Sequence, residues 1–174
     1  REEDEARKRL KELLDRITKL SKEVRDLIRE MLRELEESIE RTKREIDDLL
    51  RRLEEIRRAG VDKKELKKVA DDVLKRIEEL LKEDKDVADR VLAVIEKLLR
   101  DLERLNRDIL REVEEIIDSD EVERVKREIE EHLRRSEEDI RRVAEEIKKL
   151  VEESRRVIEE AKDRVRRLVE RVKK

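Results

Sequence analysis

The fold is decided by a repeating stretch early in the chain, LKELLDRITKLSKEVRDLIREML at residues 10–32. Apolar side chains recur there in steps of three and four, which places them on one face of an α-helix while charged residues fill most other positions. The same spacing continues to Ile56 and returns over residues 66–116 and 122–172. The sequence therefore predicts three amphipathic helices of similar length.

Two short interruptions separate these helices. Gly60 can take the left-handed conformation that ends a helix, and Asp62 can cap the next one. The second interruption is Asp118-Ser119-Asp120. We therefore predict helices over about 2–58, 63–117 and 121–174, and because both connections are short, consecutive helices should lie antiparallel. The expected fold class is all-α, an up-down-up bundle of three helices of about 55 residues each, in one elongated domain over residues 1–174.

The composition supports helices and excludes several other classes of protein. Charged residues make up 59% of the 174 residues, there is one Gly, and Phe, Trp, Tyr, Pro and Cys are absent, so sheets, tight turns and disulfides lack their usual residues. The 50 basic and 53 acidic residues nearly balance. A nucleic-acid binder would carry a basic excess on one face, so we expect no nucleic-acid partner.

Membrane insertion is also not expected from the hydropathy pattern. No apolar run approaches the roughly 20 residues that a membrane-spanning helix needs, and the polar faces mix both signs of charge. We expect a soluble protein, suited to recombinant cytoplasmic expression, with no membrane partner.

One segment of the middle helix, Lys82-Glu83-Asp84-Lys85-Asp86, breaks the apolar pattern. Continuing the stripe from Leu80 puts Asp84 on the buried face, where a lone carboxylate is costly. Because Asp86 and Asp89 also resemble a helix cap, we predict an interruption over residues 83–86. A continuous helix with Asp84 turned to solvent is one alternative. Another is a moving hinge formed by Glu83, Asp84, Lys85 and Asp86.

Neutral polar side chains are rare, and most of them fall on the apolar stripes. Buried polar groups must pair with one another, and antiparallel register brings these residues to two levels of the bundle. The first predicted network contains Thr18, Ser21, Asn106, His132 and Ser136. The second predicted layer contains Ser38, Thr42 and Ser154. Such layers fix register while adding little net stability; the alternative is that these side chains lie at stripe edges and bond to water or to their own helix.

The chain offers little for catalysis or metal binding. It has one His and no Cys, whereas a metal site needs convergent ligands and a nucleophile needs an oriented base. We expect no enzyme activity, no cofactor and no metal site.

These features resemble de novo designed helical bundles with buried hydrogen-bond networks. The resemblance covers the whole chain and lies in the uniform helices, the caps at Asp62 and Asp120, the aromatic-free core and polar layers of the Thr18, Asn106 and His132 type. It implies a structural scaffold with no natural biochemical activity and no required partner. The alternative is a homo-oligomer or a module that accepts a partner helix on flanking apolar residues, with a switch near Asp84. A natural coiled-coil spacer is a third, less favoured interpretation.

Overall fold

The computed structural model describes residues 2–115 and 120–171, which form three long helices. Helix α1 spans Glu2–Arg58, α2 spans Lys63–Glu114 and α3 spans Asp120–Glu170. The prediction of three helices is confirmed, and within the described ranges the chain has no strand. The predicted turn at Asp118 and Ser119 lies outside the described residues.

The connection between α1 and α2 follows from two residues. Gly60 has a φ of 80°, a value that costs a residue with a Cβ steric energy, and its N–H donates to the carbonyl of Arg57 at 3.2 Å. Asp62 then accepts a 2.9 Å hydrogen bond from the backbone N–H of Glu65 through its Oδ1. That bond satisfies one of the free N–H groups at the start of α2, so the predicted cap is confirmed.

Helix α2 is continuous through residues 83–86, and the predicted interruption there is wrong. The prediction rested on the cost of a lone carboxylate on the buried face. Asp84 is indeed buried, with 2% of its surface exposed, but three hydroxyl groups bond to it. Because those bonds compensate the burial, the helix has no reason to break. The alternative of a hinge at Glu83, Asp84, Lys85 and Asp86 loses the break on which it depended.

The helices divide into two compact units, which we describe separately. Unit 1 consists of Arg1–Leu32 and Leu92–Glu145. Its core is built from apolar side chains of all three helices at the spacing that the sequence predicts. They include Leu10, Leu13, Ile17, Ile28, Ile95, Leu102, Ile109, Val113, Ile129, Leu133 and Ile140.

Unit 2 consists of Arg33–Val91 and Glu146–Lys174. Its core is also made by three helices, with α1 and α2 joined by the Gly60 connection and α3 packed against both. The buried cluster contains Ile46, Leu50, Leu53, Leu66, Ala70, Val73, Ile77, Leu80, Leu81, Ile158, Ala161, Val165 and Leu168. Each helix thus contributes one apolar stripe, as the periodicity requires.

Candidate functional site: buried polar layers

A buried cluster in unit 2, which we name the Asp84 layer, consists of Ser38, Thr42, Asp84 and Ser154. Ser38 Oγ and Thr42 Oγ1, both on α1, donate to Asp84 Oδ1 at 2.8 and 3.1 Å. Ser154 Oγ on α3 donates to Asp84 Oδ2 at 2.9 Å. All four side chains are buried. One carboxylate on α2 therefore holds hydroxyl groups from both of the other helices.

Local helix geometry explains how these groups converge. Ser38 and Thr42 are four residues apart on α1, so they lie one above the other on one helix face and both reach the same oxygen. Ser154 occupies a position on α3 that continues the buried stripe between Ile147 and Ile158. Serine and threonine are small enough to leave room for the carboxylate between the helices. The second predicted layer therefore gathers around Asp84, which sequence reasoning had assigned to a break.

Ion pairs flank the Asp84 layer at each pairing of helices in unit 2. Arg76 on α2 donates two hydrogen bonds to Glu45 on α1, at 2.7 and 3.1 Å. Lys43 on α1 donates to Glu153 on α3 at 3.2 Å, and Lys162 on α3 pairs with Glu78 on α2. Every pair of helices in this unit thus has a charged contact beside the apolar core.

These contacts also affect the ionisation of the basic groups. Hydrogen bonding to Glu45, and then to Glu79, raises the pKa of Arg76 above its ordinary value. The pKa of Lys43 is raised mainly by its hydrogen bond to Glu153. Because the Arg76 and Lys43 side chains remain about one-third exposed, water and salt weaken these attractions, and they serve pairing specificity more than stability.

In unit 1 two of the five predicted network residues form a bond. Ser136 Oγ on α3 donates to Ser21 Oγ on α1 at 3.1 Å, and both serines are buried. We refer to them as the serine pair. A bond between two neutral hydroxyls contributes about 0.5–1.5 kcal/mol, less than a bond to a charged group, so the pair constrains unit 1 less than a charged layer would.

Thr18 does not belong to that network, and its predicted inclusion is wrong. Its side chain is exposed, and its hydroxyl donates to the carbonyl of Leu14 at 2.9 Å. The reason is angular: Thr18 follows the buried Ile17 by one residue, about 100° around the helix. A threonine at the edge of the stripe can bond to the carbonyl four residues earlier on its own helix, and this one does.

Asn106 and His132 are both half-buried and are not joined by a hydrogen bond among the described contacts. The Oδ1 atom of Asn106 is buried without a hydrogen-bond partner among the described residues. His132 lines an open depression of about 460 Å³ on α3. The other residues of the depression are Arg124, Arg127, Glu128, Glu131 and Arg135. The predicted pairing of Asn106 with His132 is therefore not made.

A single sequence signal could have identified Asp84 as the centre of a polar layer. The antiparallel register that places Ser38, Thr42 and Ser154 at one level of the bundle also brings all three close to residue 84. Asp84 is the acidic residue that continues the apolar stripe of α2. Treating the acid as an acceptor for those hydroxyls, rather than as a disruption, would have predicted the layer.

Metal binding, membrane insertion and catalysis each require a particular arrangement of residues. Among residues 2–115 and 120–171, no three or more His, Cys, Asp or Glu side chains are grouped so that they could hold a metal ion. Over the same ranges, none of the helices has a segment long and apolar enough to cross a bilayer. A serine nucleophile would need an oriented base, and the hydroxyl of Ser136, four residues after His132 on α3, donates to Ser21.

Comparisons with known proteins identify the fold. No family model matches the chain, and no curated protein sequence matches it. A solved structure described as a "Computationally designed three helix bundle" is similar, with a TM-score of 0.56 and 21% sequence identity. The alignment covers 96% of this chain and 88% of that chain. At this identity the similarity concerns the fold alone, and the chain has the all-α fold of a three-helix bundle.

Proposed function

We propose that this chain is a designed structural scaffold with no natural biochemical activity, in which buried polar layers set the register of the helices. The observation that carries the proposal is the Asp84 layer. One buried carboxylate accepts hydroxyl groups from α1 and α3, so all three helices of unit 2 meet at a single polar level.

The physical argument is that the layer penalises every other register. Sliding α3 by one turn moves Ser154 by about 5 to 6 Å and brings an apolar neighbour such as Leu150 or Ile158 to the carboxylate. A buried acceptor that loses its donor costs about 1–3 kcal/mol, and more when it is charged. An apolar core made of Leu, Ile and Val would tolerate the same slide with less loss, because its side chains are nearly interchangeable.

Two further features support a designed origin. The chain has one Gly, no Pro and no aromatic residue in 174 residues, whereas natural spacers usually carry some aromatic side chains. The similar solved structure is described as computationally designed. Together with helices of nearly equal length, these features favour a protein whose role is to fold into a defined bundle.

The proposal can be tested by converting the Asp84 layer into an apolar one. The variant would carry Ser38→Ala, Thr42→Val, Asp84→Leu and Ser154→Ala. Because a satisfied polar layer adds little net stability, we expect the variant to remain helical and to be as stable as the parent, or more so. We expect it to lose its single register within unit 2.

Register can be read from the distance between two spin labels. The chain contains no Cys, so the exposed positions Arg44 on α1 and Arg156 on α3 can be changed to Cys and labelled without a competing thiol. The parent should give one narrow distance distribution and the variant a broad or split one. The exposed-site variant Asp72→Asn, in the same labelled background, is the control and should match the parent. A narrow, unshifted distribution in the apolar variant would contradict the proposal.

A self-associating module has weaker support. Two large apolar side chains of unit 1, Leu27 and Val94, are 41% and 39% exposed, which is compatible with a small contact surface. However, Leu50 and Leu81, two apolar residues beside the main stripes of α1 and α2, are buried in the core of unit 2 and are not free for docking. Sedimentation of the purified chain would distinguish the two functions, since the scaffold sediments as one 21.2 kDa chain.

A further inference from the structure

The packing of α3 against the hairpin formed by α1 and α2 in unit 2 suggests a recognition function. Residues 33–91 are one uninterrupted segment that forms a helical hairpin through the Gly60 connection, and residues 146–170 of α3 pack against both helices of this hairpin. We propose that this hairpin is a receptor for one amphipathic helix with the chemistry of residues 146–171, and that it accepts this helix from a second polypeptide. The inference rests on the proposed role of the Asp84 layer in setting register.

The apolar part of the interaction is a helix lying in a groove. On α3, Ile158, Ala161 and Val165 are at most 2% exposed, and Leu168 is 9% exposed. They are separated by three, four and three residues, the spacing by which an amphipathic helix presents anchors to a groove. Their partners in the cluster are side chains of the hairpin, among them Leu53, Leu66, Val73 and Ile77.

Polar contacts make the groove selective among amphipathic helices. The neighbouring residues Glu153 and Ser154 meet Lys43 on α1 and Asp84 on α2. Two turns further along α3, Lys162 pairs with Glu78 on α2. A helix shifted by one turn would lose all three contacts together, because they have fixed spacing on α3.

These contacts define the chemistry of the partner. It is an amphipathic helix with a small hydroxyl residue at the level of Asp84, an acidic residue immediately before it and a lysine eight positions after it. Apolar residues occupy the anchor positions between and beyond them. Substituting a larger apolar residue for the serine would crowd the layer and leave Asp84 Oδ2 without its donor.

The intact chain hides this activity from an added helix. Residues 146–171 are tethered to the hairpin through the remainder of the chain, and a tethered segment acts at an effective concentration of the order of millimolar or above. A free peptide must compete with it. Binding in trans should therefore become measurable when the chain's own α3 is prevented from docking.

The test uses the full-length chain with Ile158→Asp, which places a charge at a fully buried anchor, and a fluorescent peptide of residues 146–171. Anisotropy should report saturable binding to this variant, and binding to the parent should be at least about 10-fold weaker. The matched control is the same peptide with Ser154→Ala. It should bind about 10-fold more weakly, because Asp84 Oδ2 then lacks a donor and a loss of about 1.4 kcal/mol corresponds to a factor of ten.

Hydrogen exchange over residues 33–91 shows whether the hairpin stays folded in the variant, and Val165→Asp is a second variant of the same kind. A folded hairpin that does not bind the peptide would overturn the proposal. Equal binding of the parent peptide and its Ser154→Ala form would overturn the selectivity. Loss of protection from hydrogen exchange over residues 33–91 in both variants would also overturn the proposal, since a receptor must keep its shape without α3. The spin-label measurement on the parent chain tests register independently of any peptide.

Discussion

Ser154 on α3 and Asp84 on α2 are joined by a 2.9 Å hydrogen bond that is buried from solvent. The serine hydroxyl is the donor to Oδ2, and the other carboxylate oxygen is already occupied by two hydroxyls of α1. Among the described residues, Ser154 is therefore the hydrogen-bond donor that joins this carboxylate to α3. This asymmetry makes it the most informative position at which to perturb the layer.

Ser154→Ala should lower the free energy of unfolding by about 1–3 kcal/mol, because it leaves a buried carboxylate oxygen unpaired. Guanidinium unfolding followed by circular dichroism measures the change as a shift of the midpoint at constant slope. Alanine favours helix slightly more than serine does, so a loss of stability would come from the missing bond.

Thr18→Ala is the matched control for that measurement. It also removes a hydroxyl from a helix, but Thr18 is exposed and its hydroxyl donates to the carbonyl of Leu14 on its own helix. Its effect should stay within about 0.5 kcal/mol. Equal effects of the two substitutions would mean that the buried bond has no special role.

The sequence predicts the local features of this fold, but it does not fully predict the contacts that form between different helices. Helix bounds and the buried stripe follow from a period of 3.6 residues and from two capping residues, which are local properties. The fate of Asp84 is not local, because its burial is acceptable only when hydroxyls from α1 and α3 arrive at the same level. Estimating the cost of the carboxylate on its own helix led to the predicted break.

The prediction of a five-residue polar network in unit 1 did not take account of the direction in which each side chain points around its helix. Register arithmetic fixes the height of a residue along the bundle, and it brought Ser21 and Ser136 to one level, where they bond. It does not fix the direction in which the side chain points. Thr18 has the right height but faces solvent, and Asn106 keeps a buried oxygen that has no hydrogen-bond partner among the residues that the structure describes.

Asn106→Leu should therefore stabilise the protein, by about 1 kcal/mol or more, since it removes a buried acceptor that has no donor among the described residues. Thermal or guanidinium unfolding would measure the gain. Asp108→Leu is the control, because Asp108 is exposed on the same helix and aspartate and asparagine have similar helix propensities. A loss of stability in Asn106→Leu would contradict this prediction, because it would mean that the Asn106 amide makes a stabilising contact.

Gly60→Ala should destabilise the connection between α1 and α2. No atom lies within 4 Å of the added Cβ, so the penalty comes from the backbone, which has a φ of 80°. A left-handed residue with a Cβ costs about 1–2 kcal/mol, and the midpoint of unfolding should fall accordingly. Gly60→Asn should cost less, because asparagine tolerates this conformation better. An unchanged midpoint in Gly60→Ala would mean that the connection relaxes to another conformation.

Glu131 should titrate below its ordinary range. Its pKa is lowered first by hydrogen bonds from Arg134, at 2.7 and 3.3 Å, and then by Arg135. A lowered pKa means that the contribution of this group to stability is present above its unfolded-state pKa and is lost as pH falls through the folded value. Carboxyl chemical shifts measured by NMR against pH would give the pKa directly. Arg134→Gln should move it back toward the ordinary value, and Arg135→Gln should move it less. The assignment of Arg134 as the dominant cause fails if the two substitutions shift the pKa equally.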